Sequence, residues 1–374
     1  MNRLRALYDA GQSVWLDFID RTILTDGTLD RLIREDALVG MTSNPTIFEK
    51  ALAEGTAYDA QIASVAGDLS SQALFELIET DDVRAACDHF SQVYEQTRGR
   101  DGYVSIEVSP ANAHDTEATI AEAHRLWDTV GRPNLMVKVP GTEAGVPAIR
   151  RLIADGVNVN ITLLFSRDAY ARVIDAYLEG LEDRVRDGKP VDSIASVASF
   201  FVSRVDTAID RRLDNIAAAR GEAGESIRAL RGKAAIANAR LAYRLFTERF
   251  AGSRWEQLAA RGARVQRPLW ASTSTKNPAY RDVLYVEELI GPDTVNTLPP
   301  ATIEAFRDHG VVSRTIDRDV DGAARHLAAL AELGIDLSEV TDTLLTEGLA
   351  AFARSFDTLL AGLERKVASL AATR

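Results

Sequence analysis

Eight short runs of β-forming residues, each separated from the next by a longer stretch rich in Ala, Leu, Arg and Glu, limit what this chain can fold into. The runs are Val14 to Ile19, Leu38 to Thr42, Tyr103 to Val108, Leu135 to Val139, Val157 to Leu163, Ile194 to Phe201, Leu269 to Ser272 and Thr294 to Leu298. Strands that alternate with helices pair in parallel, because the helix carries the chain back to the edge where the next strand begins. Eight such units predict closure, since a barrel removes the two unpaired edges of an open sheet. The expected fold is α/β, a (β/α)8 TIM barrel with additional helices, including C-terminal helices.

The chain has 374 residues, more than the roughly 250 of such a barrel. The surplus is expected as helical insertions near 46–100 and 205–265 and as a helical extension over 300–374. Thr80-Asp81-Asp82 reads as a helix start, Gly221 to Gly224 as a break, and Pro299-Pro300 as the opening of a helix. Leu344 to Leu370 is apolar at helical spacing and is expected to cover either the barrel mouth or one flank. Neither a solenoid repeat nor a low-complexity linker interrupts the chain, so residues 1–374 read as one elaborated domain.

A formal charge of −12 disfavours nucleic acid and anionic membranes as partners. An anionic small molecule would therefore need a local cationic pocket. No apolar stretch approaches the ~18 residues of a membrane span, and no apolar core follows Arg3 and Arg5, so a cytoplasmic location is expected. Cys87, in a helical-looking stretch, reads as buried packing. His89, His114, His124, His309 and His326 are scattered without ligand spacing, and neither a GxGxxG nor a GxxxxGK[ST] loop occurs; no metal and no cofactor is expected.

Only six of the 43 Lys and Arg residues are lysine, and Lys138 lies inside the apolar run Leu135-Met136-Val137-Lys138-Val139-Pro140. A lysine in a strand is either an edge residue whose head reaches water or a desolvated amine that has lost basicity. Pro140-Gly141-Thr142 ends the run as a turn, which puts Lys138 near the carboxyl end of its strand, where α/β folds build their sites. Lys138 is thus a candidate nucleophile toward a carbonyl. For a Schiff base its pKa should fall from ~10.4 toward ~7 to 8.

The other polar residues in or just after the strands are Asp17, Asn44, Glu107, Asn160 with Thr162, Ser199 with Arg204, Ser272 with Lys276, and Asn296. Asp17 and Glu107 supply two carboxylates on separate strands, which permits separate proton-moving roles. Asn44, Asn160, Thr162 and Ser199 suit a polyhydroxylated substrate, while Arg204 and Lys276 are candidates for holding a phosphate. Phe201 and Trp270 fall late enough in their strands to wall a pocket.

Several stretches resemble the transaldolases, the Schiff-base enzymes of the pentose phosphate pathway. They are Gly40-Met41-Thr42-Ser43-Asn44-Pro45-Thr46-Ile47-Phe48, Val104-Ser105-Ile106-Glu107-Val108, Met136-Val137-Lys138-Val139-Pro140, 158–166 and Ala198-Ser199-Phe200-Phe201-Val202-Ser203-Arg204. Residues 270–278 resemble a longer subgroup of the family. The resemblance implies transfer of a dihydroxyacetone unit from a ketose phosphate, such as sedoheptulose 7-phosphate or fructose 6-phosphate, to an aldose phosphate, such as glyceraldehyde 3-phosphate or erythrose 4-phosphate. It implies sugar phosphates as partners and leaves monomer and homodimer both open. By the same analogy Lys138 forms the Schiff base, Asp17 takes the substrate hydroxyl proton, and Glu107 shuttles protons through a water near Thr162. Asn44, Asn160 and Ser199 would hold the three-carbon enamine, and Arg204 with Ser272 would bind phosphate.

One departure concerns the phosphate end. Better-known members carry an arginine two residues after the serine matching Ser272, where this chain has Ser274; Lys276 either replaces it or is a solvated loop residue. Two alternatives accompany the transferase reading. A fructose-6-phosphate aldolase would share the lysine but tends to have glutamine at the position of Glu107 and tyrosine at that of Phe201. A silent sugar-phosphate-binding barrel would have the pocket without the proton-moving groups.

Overall fold

The computed structural model describes residues 2–53, 55–65 and 69–372. Residues 54 and 66–68, within the insertion expected at 46–100, and 373–374, within the terminal extension, lie outside the described set. Among the described residues eight strands close into a parallel barrel in sequence order: β1 (Gln12–Asp17), β2 (Leu38–Thr42), β3 (Tyr103–Glu107), β4 (Leu135–Pro140), β5 (Val159–Leu164), β6 (Ser196–Phe201), β7 (Arg267–Ala271) and β8 (Thr294–Leu298). The (β/α)8 expectation is correct. Strand ends differ where distant partners bury polar residues. Gln12 joins β1 because its amide donates to Leu289 O and Thr294 Oγ1 on the β8 side. Arg267 opens β7 because Asp101, 3.0 Å away at the floor of the barrel, neutralises it.

Among the described residues, three helices, Pro45–Ala53, Asp59–Val65 and Ser71–Gln96, lie in the connection from β2 to β3. Thr80-Asp81-Asp82 does not start a helix. Ser70 does, its hydroxyl accepting from Ala73 N, while Thr80 Oγ1 donates back to Glu76 O in mid-helix. Asp82 is tolerated there because Tyr58 and Arg21 satisfy its buried carboxylate at 2.8 and 2.5 Å. Gly221–Gly224 does interrupt the helices between β6 and β7, and Pro299 and Pro300 do open the helix that follows β8. Cys87 is fully buried in the core, and burial pushes its thiol pKa up.

The helix expected over 344–370 spans Leu337–Ala372 and crosses the mouth of the barrel. Gly348 faces Leu163 and Arg204 from β5 and the β6 end, and Ser355 Oγ bonds Thr46 Oγ1 at 2.8 Å. Further along, Phe356 meets Phe75 edge-on at 5.7 Å and Lys366 pairs with Asp59 at 2.8 Å. No helix among the described residues is long and apolar enough to cross a membrane.

Inside the barrel, space is rationed by single atoms. Trp15 fills the gap between β1 and β2 so closely that a Cβ on Gly40 would lie 2.6 Å from its ring. Gly40→Ala should therefore destabilise the protein by about 1–3 kcal/mol through overpacking. Denaturant unfolding checks this; a stability within about 0.5 kcal/mol of wild type, the range of an inconsequential substitution, would contradict the packing described.

Candidate active site

Register decides which side chains share a height in the barrel. Glu107 on β3 pairs with Lys138 on β4, and Lys138 pairs with Asn160 on β5, so these three point into the interior together. Lys138 is 5% exposed; its Nζ donates to Glu107 Oε2 at 3.0 Å and to Ser43 O at 2.9 Å. The edge-residue reading of this lysine is therefore wrong. Burial raises the Glu107 pKa, with Lys138 opposing and the charge of Asp17 adding to the rise. Asp17, at the end of β1, is also raised by burial; Lys138 and a 2.8 Å hydrogen bond from Thr42 Oγ1 act against it. Two carboxylates in different surroundings thus flank one amine.

A cavity of about 600 Å³ opens above Lys138. Asp17, Asn44, Thr162, Ser199, Phe201, Arg204, Ser272 and Lys276 line it with Lys138, and Phe352 of the terminal helix closes one side. Glu107 and Asn160 do not line this space. Glu107 stands behind the amine, and Asn160 lies beneath, accepting from Ser199 Oγ at 2.7 Å and donating to Ser105 Oγ at 3.0 Å. Asn44 also caps the helix after β2, its Oδ1 accepting from Ile47 N at 3.0 Å. Thr162 Oγ1 is buried without a hydrogen-bond partner among the described residues. Such a hydroxyl on a cavity wall is costly unless a water or substrate completes it. Asn296 and Trp270 serve the core: Thr273 and Gln12 bond Asn296, and Trp270 packs edge-on against Phe200.

Two of the strands bend sharply at the mouth. Leu163, at the irregular end of β5, and Ser272, just after β7, adopt φ of 58° and 55°. Left-handed backbone at residues with a Cβ costs of order 1–3 kcal/mol and gathers at functional sites. Ser272 Oγ bonds Ser203 Oγ at 3.0 Å, which ties the loop after β7 to the helix after β6. That helix carries Arg204, whose guanidinium stacks on Phe201 at 5.1 Å.

The rim is cationic. Lys276 lines the cavity, and its Nζ donates to Ser274 Oγ at 2.7 Å, so the serine two residues after Ser272 supports the lysine. Lys276 is an exposed residue of the rim; partial desolvation there lowers its pKa, and the charges of Arg204 and Lys50 lower it further. Lys50, on the helix after β2, was not singled out by the sequence, although it is one of only six lysines and lies six residues after Asn44. Among the described residues none of Lys50, Arg204 and Lys276 is ion-paired with a carboxylate. Thr42 and Thr297, 2.6 Å apart under Asp17, were also missed; only their register on β2 and β8 brings them to the site.

A parallel barrel that buries a lysine against a carboxylate, beneath a cavity with a cationic rim, has the architecture of a Schiff-base aldolase-type enzyme. Residues 14–363 match the family described as Transaldolase/Fructose-6-phosphate aldolase. A relative named Transaldolase 2 from Nostoc sp. is 48% identical over 98% of each chain. Proteins named Transaldolase from Thermobifida fusca, over 98% of each chain, and Mycolicibacterium smegmatis, over 96% of this chain and 95% of that one, are each 50% identical. The chain belongs to the transaldolase/fructose-6-phosphate aldolase family, and it is an enzyme of the transaldolase type.

Because the rim cations have no carboxylate partner among the described residues, each should contribute most to a phosphorylated ligand. Arg204→Ala and Lys276→Ala should each raise KM for a phosphorylated ketose roughly 10- to 100-fold, the effect of losing a charged hydrogen bond. Steady-state kinetics with an unphosphorylated ketose should show little change. An equal penalty on both donors would remove these residues from a phosphate site.

Proposed function

We propose that transaldolase chemistry in this chain runs through a Schiff base on Lys138, moving a dihydroxyacetone unit from a ketose phosphate to an aldose phosphate. The observation that carries the reading is the buried Lys138–Glu107 contact of 3.0 Å at the base of the cavity. Glu107 accepts a proton from the Lys138 ammonium, and the neutral amine attacks the keto carbon. Glu107 then returns that proton to the carbinolamine hydroxyl, which leaves as water, and a protonated imine remains. The proton balance closes without exchange with solvent. Thr162, its hydroxyl unpartnered, is suited to holding the water lost here and regained at hydrolysis.

Asp17 takes the proton from the hydroxyl next to the scissile bond. The bond's electron pair flows into the imine, an aldose phosphate departs, and an enamine stays on Lys138. When an acceptor aldehyde arrives the enamine carbon attacks it, and Asp17 returns the proton to the new alkoxide. Ser199, oriented by Asn160, and Asn44 hold the enamine's hydroxyls, while Arg204, Ser272 and Lys276, with Lys50 beside them, hold the phosphate. Transfer is favoured over simple cleavage because Glu107 and Phe201 stand where fructose-6-phosphate aldolases tend to have glutamine and tyrosine. Phe352 walls the same cavity as the strands, which supports taking residues 1–374 as one domain.

Borohydride reduction in the presence of fructose 6-phosphate tests the central step. Peptide mapping should find the added mass on the peptide containing Lys138, and Lys138→Ala should remove both label and turnover while remaining folded. A label on another lysine would overturn the assignment. Since burial raises the Glu107 and Asp17 pKa values, the acidic limb of kcat/KM should lie above the ordinary carboxylate range near ~4. Turnover should fall as pH drops through that limb, and in Glu107→Gln imine formation and hydrolysis should slow while substrate binding persists. A Glu107→Gln enzyme with wild-type kinetics would take that residue out of the mechanism.

A further inference from the structure

Glu107 also lines a second, smaller space of about 20 Å³ between β3 and the helices Ser71–Gln96 and Thr116–Val130. Phe75, Leu126 and Phe356 supply apolar walls, and Glu79 and Glu122 share the space with Glu107. Glu122 is accounted for: its Oε2 accepts from Ser109 N at 2.9 Å and Asn112 Nδ2 at 2.8 Å. Glu79 is not. It is only 6% exposed, and no described residue donates a hydrogen bond to its carboxyl group. A solitary buried carboxylate without donors is too costly to retain ionised.

Carboxyl groups confined together cannot all ionise, so a proton resides on one of them. Lys138, in contact with Glu107, selects Glu107 as the charged member. The proton falls to Glu79, whose pKa is driven well above the ordinary value by burial first and then by Glu107 and Glu122. The charged or titratable groups facing it are Glu107 from β3, Glu122 from the helix Thr116–Val130, Lys138 from β4, and Asp82 on its own helix. Glu76, on that helix too, is paired with Arg125.

We infer that Glu79 is a positioning residue for the reaction: as a neutral carboxylic acid it donates a hydrogen bond to Glu107, directly or through one water, and keeps Glu107 ionised to accept the Lys138 proton. A space of this size holds about one water. No bond forms or breaks at Glu79, and its proton stays on it throughout. This role rests on the assignment of Glu107 and Lys138 made above.

The test follows the pH dependence of imine formation, read as the rate of borohydride trapping with fructose 6-phosphate. Without the donor, Glu107 should hold its proton more tightly. Glu79→Ala and the space-filling Glu79→Met should each move the acidic limb of trapping upward by about one pH unit, the size of a weak charged hydrogen bond. Glu79→Gln, a neutral donor of the same shape, should return the limb to within a few tenths of the wild-type position. Thermal melting of each variant identifies loss of fold, and if the alanine variant unfolds the methionine variant carries the comparison. Unshifted limbs in the donor-less variants, or a glutamine variant as defective as they are, would overturn the role of Glu79. Failure of wild-type protein to label at Lys138 would instead overturn the Schiff-base reading itself.

Discussion

An ammonium and a carboxylate held 3.0 Å apart where little water reaches govern the rest of this structure. Either charge alone in the barrel would cost several kcal/mol, and removing one partner of such a pair is usually far worse than never having built it. The pair therefore demands register: a slip of one residue in β4 would turn Lys138 outward and leave Glu107 uncompensated. It also demands a third group, which Ser43 O provides. What keeps the arrangement reversible is that Glu107 has an escape. Its raised pKa suits it to take the proton that the ammonium would have to lose before the amine could attack, so in that exchange neither group would be left as a lone charge.

That logic explains which parts of the molecule could be read from the chain and which could not. The strands were legible because buried parallel strands are short, nearly continuous apolar runs. Their ends were misplaced where a polar residue enters the ladder on the strength of a partner far away in sequence, as with Arg267 and Asp101. The helix Ser71–Gln96 was cut too late for the same reason: Asp82 looks like a helix-starting residue until Arg21 and Tyr58 are seen to neutralise it.

The site divides along the same line. Lys138, Asp17 and Thr162 declare themselves because a polar residue near the carboxyl end of an apolar strand sits where barrel enzymes keep their chemistry. Glu79 and Lys50 lie on helices, where a charged residue ordinarily means a solvated face. Only the packing of β3 and the helix Thr116–Val130 around Glu79, and the opening of the cavity beside Lys50, distinguish them from such a face.

A chain of net charge −12 nevertheless gathers Lys50, Arg204 and Lys276 from three separate connections onto one rim. Desolvation and the charges of Arg204 and Lys50 lower the pKa of Lys276, and burial lowers that of Arg204. Asp17 acts on both from inside the cavity but pairs with neither. If the rim holds a phosphate as proposed, an incoming dianion would relieve the repulsion among these cations, and part of the affinity would be stored in the rim before binding. The strained backbone at Ser272 then has a physical purpose, since it ties the loop bearing Lys276 to the helix bearing Arg204 and holds like charges together that would otherwise separate.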